Sequence, residues 1–440
     1  MLMQFLVGFT DVFIAGRINS HLQGALGIIT QCQFFFMVFG IALVNGGLAS
    51  MSQSLGAGLA LRASRYTGLL FKLAAFFCAL TILLGKVFAK ELLLALQVPG
   101  DIFALSLELW DILIWIMPAS YLSFATIAVF RSRKEVWVPL ASSMVVCLVN
   151  GLADYGLGLG KFGLPELGGQ GLIYASIISM SAGALFNLGV LIKKKLVSRR
   201  SFAPFRWERK AIPYIIKVAL PAGGSQLLWQ LGYLMLFLIT NTLPSGGTMA
   251  ASGLTVGMRI EAVLFLPAMA FSFTGSILVG HCLGAGNKAE AKRVGLRVVG
   301  AGALSMSVLA GCMLPFVARI AALVTPLDLA VQDIATSYMM FNLLAVPFTV
   351  TSMIMSGIFS GAGATLYSLM AFSFGTWVVR LPLAWYMGHE IWRGPDGIFV
   401  AMLVSQVVQA LFCLFLFLRK DWYRFASTAR RFSRGAPRRI

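Results

Sequence analysis

The segment SQSLGAGLALRASR, residues 52–65, returns in altered form as GHCLGAGNKAEAKR, residues 280–293. At a constant offset of 228, Leu55, Gly56, Ala57, Gly58, Ala63 and Arg65 match Leu283, Gly284, Ala285, Gly286, Ala291 and Arg293. The match extends outward. Pro118 in MPASYLSFATIAVF pairs with Pro347 in VPFTVTSMIMSGIF at offset 229, and GQGLIYAS (169–176) pairs with PDGIFVAM (395–402) at offset 226. A period near half of 440 residues means one unit written twice. In each copy, glycines clustered at the end of a long apolar run predict a helix that stops in left-handed geometry.

The apolar runs define the solvent. Hydrophobic residues make up 59% of the chain, charged residues 12%, and the mean hydropathy is +0.86. Soluble domains carry about 25% charged residues, and no polar face here is large enough to solvate such a chain. Stretches of about twenty apolar residues recur from end to end, as bilayer-spanning helices require. The spacing predicts twelve spans, the first over 2–17, the fifth over 136–159 and the last over 397–418. The fold class is therefore all-α integral membrane, with two pseudo-symmetric six-helix bundles (6+6) around a central cleft. Six spans per copy keep both copies in one orientation, a parallel repeat about an axis along the membrane normal. The organisation reads as an N-terminal lobe (1–192), a basic linker (193–211), a C-terminal lobe (212–418) and a basic tail (419–440).

The net charge of +19 invites a nucleic-acid reading, but its distribution argues against one. With the N-terminus inside, the inner loops and tail hold 25 Lys and Arg and the outer loops about 6. That asymmetry follows the positive-inside rule and places both termini in the cytoplasm of a cell membrane protein. KKKLVSRR and ARRFSRGAPRR then serve as topology signals and contacts to anionic lipids, with no nucleic acid as partner. No signal peptide is expected, because no cleavage site follows a charged start. A helix over residues 1–18 rises about 27 Å, slightly short of a bilayer core of about 30 Å.

Several chemistries are excluded. The six cysteines are scattered through or beside the spans without a CxxC, so they read as buried thiols. The three histidines make no metal-binding spacing. No nucleophile–base pair and no Walker loop is present, so neither an intramembrane enzyme nor a direct ATPase fits. No cofactor is expected.

The intramembrane acids carry the functional signal, because a charge in the bilayer costs several kcal/mol and needs a reason. Asp11 lies about 15 Å along the first span, near mid-membrane. Asp154 lies in the fifth span, with Asn150 one turn earlier on the same helix face. With a hydroxyl from the sixth span, for which Ser176 is the candidate, these oxygens suit a proton or a hard cation such as Na⁺. Two carboxylates in low dielectric do not both ionise cheaply, so the pair Asp11 and Asp154 can trade one proton. The plainer reading, that Asp11, Asp154 and Asn150 merely bond helices together, stands beside it.

The layout resembles the multidrug and toxic compound extrusion (MATE) transporters of the NorM and DinF type. The residues that carry the resemblance are the first-span D-x-x-x-A-G (Asp11 to Gly16), the two LGAG segments and N-x-x-x-D (Asn150 to Asp154). The loop GKFGLPELGGQG (160–171) and the segment MRIEAVLFLPAMAFS (258–272) add to it, and the likeness covers about residues 1 to 420. The resemblance implies a secondary exporter that exchanges lipophilic, often cationic, organic compounds for H⁺, less readily Na⁺, by alternating access. It implies cation coupling at Asp11, Asn150, Asp154 and Ser176, with Na⁺ as an alternative ion at Asp11, Asn150 and Asp154. The chain departs from NorM-type relatives in the second lobe, whose seventh and tenth spans carry no acid. At offsets of 228 to 230, Asp154 corresponds to Pro382 through Ala384, so coupling is expected in the first lobe alone, as in DinF-like members.

The substrate surface is expected to draw on Gln33, Phe36, Met37, Gln230, Glu261 and Met269, since Met and aromatic side chains adapt to flat lipophilic cations. For any one of these, packing or lipid contact is the competing reading. Arg259 and Glu261 lie two residues apart on one helix and do not face each other. Arg380 is the candidate partner for Glu261, and both residues of the eighth span read as structural polar contacts. The partners expected are small organic substrates and membrane lipids, with the transporter a monomer. A lipid-linked oligosaccharide flippase of the same wider superfamily is the alternative function.

Overall fold

The structure is a computed structural model, and it describes Ile14 and residues 20–427 apart from 97, 245, 326 and 327. Among the described residues there is no strand, and eleven helices are long and apolar enough to cross a bilayer. They are α1 (His21–Gly56), α2 (Ala60–Val87), α3 (Gly100–Ser132), α4 (Trp137–Gly158), α5 (Gly168–Lys193), α6 (Phe205–Asn241), α7 (Gly247–Gly284), α8 (Lys288–Val324), α9 (Leu329–Ala362), α10 (Thr365–Ile391) and α11 (Pro395–Arg419). The expected span over 2–17 falls outside the described residues except for Ile14. The other eleven expected spans each coincide with one helix.

The helix ends follow from particular side chains. Asp328 caps α9, its carboxylate accepting from the amides of Ala330 and Val331 at 3.1 Å each. Asn287 caps α8 by accepting from the Glu290 amide at 3.0 Å. Each reads as an Asn or Asp at an N-cap, where its oxygen satisfies otherwise unpaired N–H groups.

The repeated LGAG segments do what their glycines predict. α1 ends at Gly56 and α7 at Gly284. Gly58 and Gly286 then turn left-handed, with φ of +71° and +81°. The closing hydrogen bonds correspond one for one. Ala57 N–H reaches the Gln53 carbonyl and Ala285 N–H reaches that of His281, at 3.1 and 3.0 Å.

The chain falls into two compact units, Met1–Met51 with Leu59–Ile216 and Ser52–Gly58 with Lys217–Ile440. Each has its own core. In the first unit Trp110, Tyr121 and Phe130 are fully enclosed. The Trp110 indole donates to the Gly85 carbonyl at 2.8 Å, and the Tyr121 hydroxyl reaches the Phe36 carbonyl and the Thr81 hydroxyl at 3.0 Å each. The segment after α5 is held against α2. The Ser64 and Ser201 hydroxyls meet at 2.7 Å, and Gly68 lets the Ser201 carbonyl approach so closely that a Cβ there would lie 2.2 Å from its oxygen. Lys72 pairs with the buried Glu208 at 2.6 Å.

The second unit is built around Tyr338, Phe359, Phe399 and Phe417. It also contains the last turn of α1. There the two LGAG helix ends cross at backbone distance. A Cβ on Gly56 would lie 2.1 Å from the His281 carbonyl oxygen, and a Cβ on Gly284 would lie 2.1 Å from that of Gln53. Under the repeat offset of 228, Gly56 maps to Gly284 and Gln53 to His281, so the crossing maps onto itself. The Gln53 side chain adds two bonds, donating to the Gly361 carbonyl and accepting from the Ser427 amide at 2.8 Å each.

Candidate functional site

In the first unit the sequence N-x-x-x-D sits where α4 changes its winding. The α-helical part runs Trp137–Ala153, and Asp154–Gly158 continues as a π-helix. The Asp154 amide still bonds to the Asn150 carbonyl, so the two residues remain one turn apart. Both side chains are buried, Asp154 with no solvent exposure. A π-helical turn inside a span is a feature that functional sites often exploit.

α5 packs along α4 and against this π-helical turn. Glycines allow the approach: a Cβ on Gly171 would lie 2.3 Å from the Leu157 carbonyl oxygen, and one on Gly158 would lie 2.8 Å from the Leu172 side chain. Ile14 of the first span reaches the same place, 3.9 Å from that Gly158 position. Ser176 is half-buried on α5, and its carbonyl accepts from the Ser179 hydroxyl at 3.0 Å. Asn150, Asp154 and Ser176 thus lie on packed elements, all of them hard oxygen donors or acceptors. Asp11, the remaining member of the expected cluster, lies outside the described residues.

The second unit repeats this arrangement with a basic side chain in it. α10 also contains a π-helix, Phe374–Arg380, and α11 packs against it. Arg380, buried, donates from Nε to the Ser405 hydroxyl at 2.9 Å, and its guanidinium lies 5.7 Å from the centre of the Tyr233 ring. Ser405 bonds the Met402 carbonyl at 2.7 Å, as Ser179 bonds that of Ser176. At the offset of 226 that relates GQGLIYAS to PDGIFVAM, Ser179 maps to Ser405 and Ser176 to Met402. On the preceding helix the offset is 230: Gly171 closes on the Leu157 carbonyl and Gly158 on Leu172, as Gly397 closes on the Met387 carbonyl and Gly388 on Ile398, so Asn150 maps to Arg380 and Asp154 to Ala384. The counterpart of Asp154 thus lies within the expected Pro382 to Ala384, and it is a buried alanine. The offset falls from 230 to 226 across the connection to the next helix, which runs 159–167 in the first half and only 392–394 in the second.

Glu261 is also placed differently from its expected pairing. Four ion pairs within 4.0 Å are found among the described residues, and none includes Glu261. Its carboxylate instead accepts from the Tyr338 hydroxyl of α9, and Asn342 donates to the same hydroxyl at 3.1 Å. Gly257, one turn before Glu261, makes the contact possible: a Cβ there would lie 2.1 Å from the Tyr338 ring. Tyr338 in turn packs edge-on against Phe399 at 5.3 Å. Tyr338, Asn342 and Ser405 belong to this network and were not singled out from the sequence. The signal was the pair Tyr338 and Asn342, two polar groups one helical turn apart in an apolar span.

The remaining expected lining residues are distributed over both units. In the first, Gln33 is buried on α1, Met37 is half-buried, and the Phe36 ring packs on Trp110 at 5.7 Å. In the second, Gln230 on α6 and Met269 on α7 are half-buried. Gln33 and Glu261 occupy equivalent repeat positions at offset 228.

Comparison with known proteins agrees with this architecture. The MatE family model matches residues 1–155 and 221–386. A probable multidrug resistance protein NorM of Thermotoga maritima is 24% identical over 97% of this chain and 91% of its own length. A protein of the same description from Rhodopseudomonas palustris is 26% identical over 93% of this chain and 87% of its own. The crystal structure of a mutant of the Vibrio cholerae MATE transporter VcmN superposes with a TM-score of 0.86 at 20% identity, covering 96% of this chain and 94% of that one. The family match, both halves of the repeat included, shows that this chain belongs to the MatE family of membrane transporters and is not an enzyme.

Proposed function

We propose that this protein is a secondary multidrug exporter that moves lipophilic organic cations out of the cell in exchange for protons, with coupling in the first unit. Support for the class of cargo comes from the relatives, described as probable multidrug resistance proteins. The observation that carries the placement of coupling is the difference between equivalent positions, the buried Asn150 and Asp154 in one half against Arg380 and Ala384 in the other. A fixed guanidinium repels an incoming cation, so only the half that keeps its carboxylate at this position is suited to load and release one. Protons are favoured over Na⁺ because two carboxylates and an amide suffice to hold a proton, whereas Na⁺ requires a fuller oxygen shell. Asp11, Asn150, Asp154 and Ser176 are the coupling residues in this reading. Gln33, Phe36, Met37, Gln230, Glu261 and Met269 contribute to substrate contact. The protein acts as a monomer in the cell membrane by alternating access, with both termini cytoplasmic as the charge asymmetry requires.

The test uses inside-out vesicles that carry a proton gradient, to which ethidium is added. Wild type should collapse the gradient without sodium, while Asp11→Asn and Asp154→Asn, inserted at normal levels, should not. Exchange by both variants at the wild-type rate would overturn coupling in the first unit. A requirement for sodium would replace the proton, and silence of the wild type towards every cation offered would turn attention to lipid-linked oligosaccharides.

A further inference from the structure

Where α8 begins and α11 ends, the second unit has a concave basic surface that the transport reading does not use. Lys288 and Lys292 line it from α8, and Arg419 and Lys420 from the end of α11, with Trp422 and Tyr423 between them. All four cations are exposed, and none is in an ion pair among the described residues. Lys288 lies 4.6 Å from the centre of the Tyr423 ring. One carboxylate, Asp421, shares the surface, and it accepts from the Tyr423 hydroxyl at 2.5 Å. Four cations thus face one already engaged anion.

The surroundings say what fits. On α8, Leu296 follows Lys288 and Lys292 at four-residue spacing and is 40% exposed. On α11, Phe415 and Leu411 precede Arg419 at the same spacing and are 50% and 59% exposed. Each helix therefore presents a stripe that is cationic at its end and apolar towards the middle of the span. A soluble anion would use only the cationic end. A phospholipid would use both, its phosphate among the cations and its acyl chains along the apolar stripes.

We propose that this surface is a binding site for an anionic phospholipid of the inner leaflet, held through its headgroup phosphate by Lys288, Lys292, Arg419 and Lys420. The buried Trp422 indole donates to the Phe417 carbonyl at 2.8 Å and so fixes the segment that carries Lys420 and Tyr423. The site is independent of the coupling residues, so it stands or falls separately from the proposed transport reaction.

Native mass spectrometry of the full-length protein in detergent tests it. Palmitoyl-oleoyl phosphatidylglycerol, the matching phosphatidylcholine and inorganic phosphate are titrated in turn. Phosphatidylglycerol should bind well ahead of phosphatidylcholine. Each neutralised cation near an anionic lipid surface costs roughly fivefold in affinity, so Lys288→Gln/Lys292→Gln/Arg419→Gln should weaken phosphatidylglycerol binding on the order of 100-fold. Lys90→Gln/Lys161→Gln/Arg319→Gln, which removes equal charge from exposed positions in the outer connections, should leave it unchanged. Should the first triple variant fail to fold, Lys292→Glu alone serves, with a loss of at least tenfold expected. Equal binding of the two lipids, or undiminished binding by the variants at this surface, overturns the proposal. So does displacement of the lipid by micromolar inorganic phosphate, which would make this a site for a soluble anion.

Discussion

Gly56→Ala places a methyl group where the structure has no room for one. The new Cβ would lie 2.1 Å from the His281 carbonyl oxygen, 2.7 Å from its carbon and 2.7 Å from the His281 Cα. Carbon and oxygen sit comfortably at about 3.3–3.6 Å, so the helices must part by roughly 1.2 Å. Every obstructing atom is main chain, so no side chain can rotate aside. Overpacking typically costs about 1–3 kcal/mol, and this crossing falls at the upper end. Separation also stretches the two bonds of Gln53, each worth about 0.5–1.5 kcal/mol net. The expected destabilisation is about 3–5 kcal/mol. Gly284→Ala should cost a similar amount, since its Cβ would meet the Gln53 carbonyl in the mirrored way. The double variant should cost less than the sum, because helices already parted by one methyl accommodate the other. Two controls separate this mechanism from loss of glycine as such. Gly300→Ala, with nothing within 4 Å of its new Cβ, should be neutral or stabilising. Gly58→Ala meets no atom within 4 Å either but keeps φ at +71°, and should cost only the left-handed penalty of about 1–2 kcal/mol. The readout is the fraction of full-length protein that stays monodisperse in detergent after heating. If Gly56→Ala melts with Gly300→Ala, the crossing is not a close contact and the reasoning fails.

Gln53→Leu removes both bonds to Gly361 and Ser427, and should lower stability by about 2–3 kcal/mol while raising proteolysis of the chain beyond Arg419. Unaltered proteolysis would mean that the tail segment is held by Trp422 instead. Arg380→Met leaves Glu261 without its nearby cation, and removing one partner of a buried charge arrangement costs about 3–5 kcal/mol. Adding Glu261→Gln should recover much of that loss in the thermal melt, and simple addition of the two effects would show that the groups are uncoupled. Tyr338→Phe deletes the donor to Glu261 but keeps the ring against Gly257 and Phe399. It should destabilise by about 1–3 kcal/mol without the larger loss that a truncation to Ala would bring.

What could be read from the sequence was local. The apolar runs implied spans because about twenty residues without charge leave a helix no other solvent. The second glycine of each LGAG implied a left-handed helix stop because only glycine takes that conformation freely. The first glycine of each pair was harder to interpret. Gly56 and Gly284 are needed because another backbone crosses there, and nothing nearby in sequence announces a crossing with His281 or Gln53. Glu261 shows a different kind of miss. Its partner was sought among charged residues, yet a buried carboxylate is also satisfied by a neutral donor, and Tyr338 reaches it through the space left by Gly257. The register between the halves also changes along the chain. The offset is 230 where Gly158 and Gly388 meet the next helix and 226 at Ser179 and Ser405, because the connection between those helices is longer in the first half.

The duplication has kept one thing and varied another. The scaffold has been kept in both halves: glycines at the same helix ends, π-helical turns in α4 and α10, and a serine on the following helix bonded three residues back. What differs is the side chain set into the scaffold. The first half has Asn150 and Asp154 where the second has Arg380 and Ala384, and at another position the first has the neutral Gln33 and the second the acidic Glu261. The second half therefore brings a fixed cation close to its own buried carboxylate, Glu261. A carboxylate beside an immobile counter-charge has little reason to take up or release a mobile ion. In the first half the place of that guanidinium is taken by the neutral Asn150, and the carboxylate one turn away, Asp154, is fully enclosed. Under the proposed function, coupling in the first half then needs no difference in fold between the halves: it goes with the half that has not supplied its own positive charge at this position.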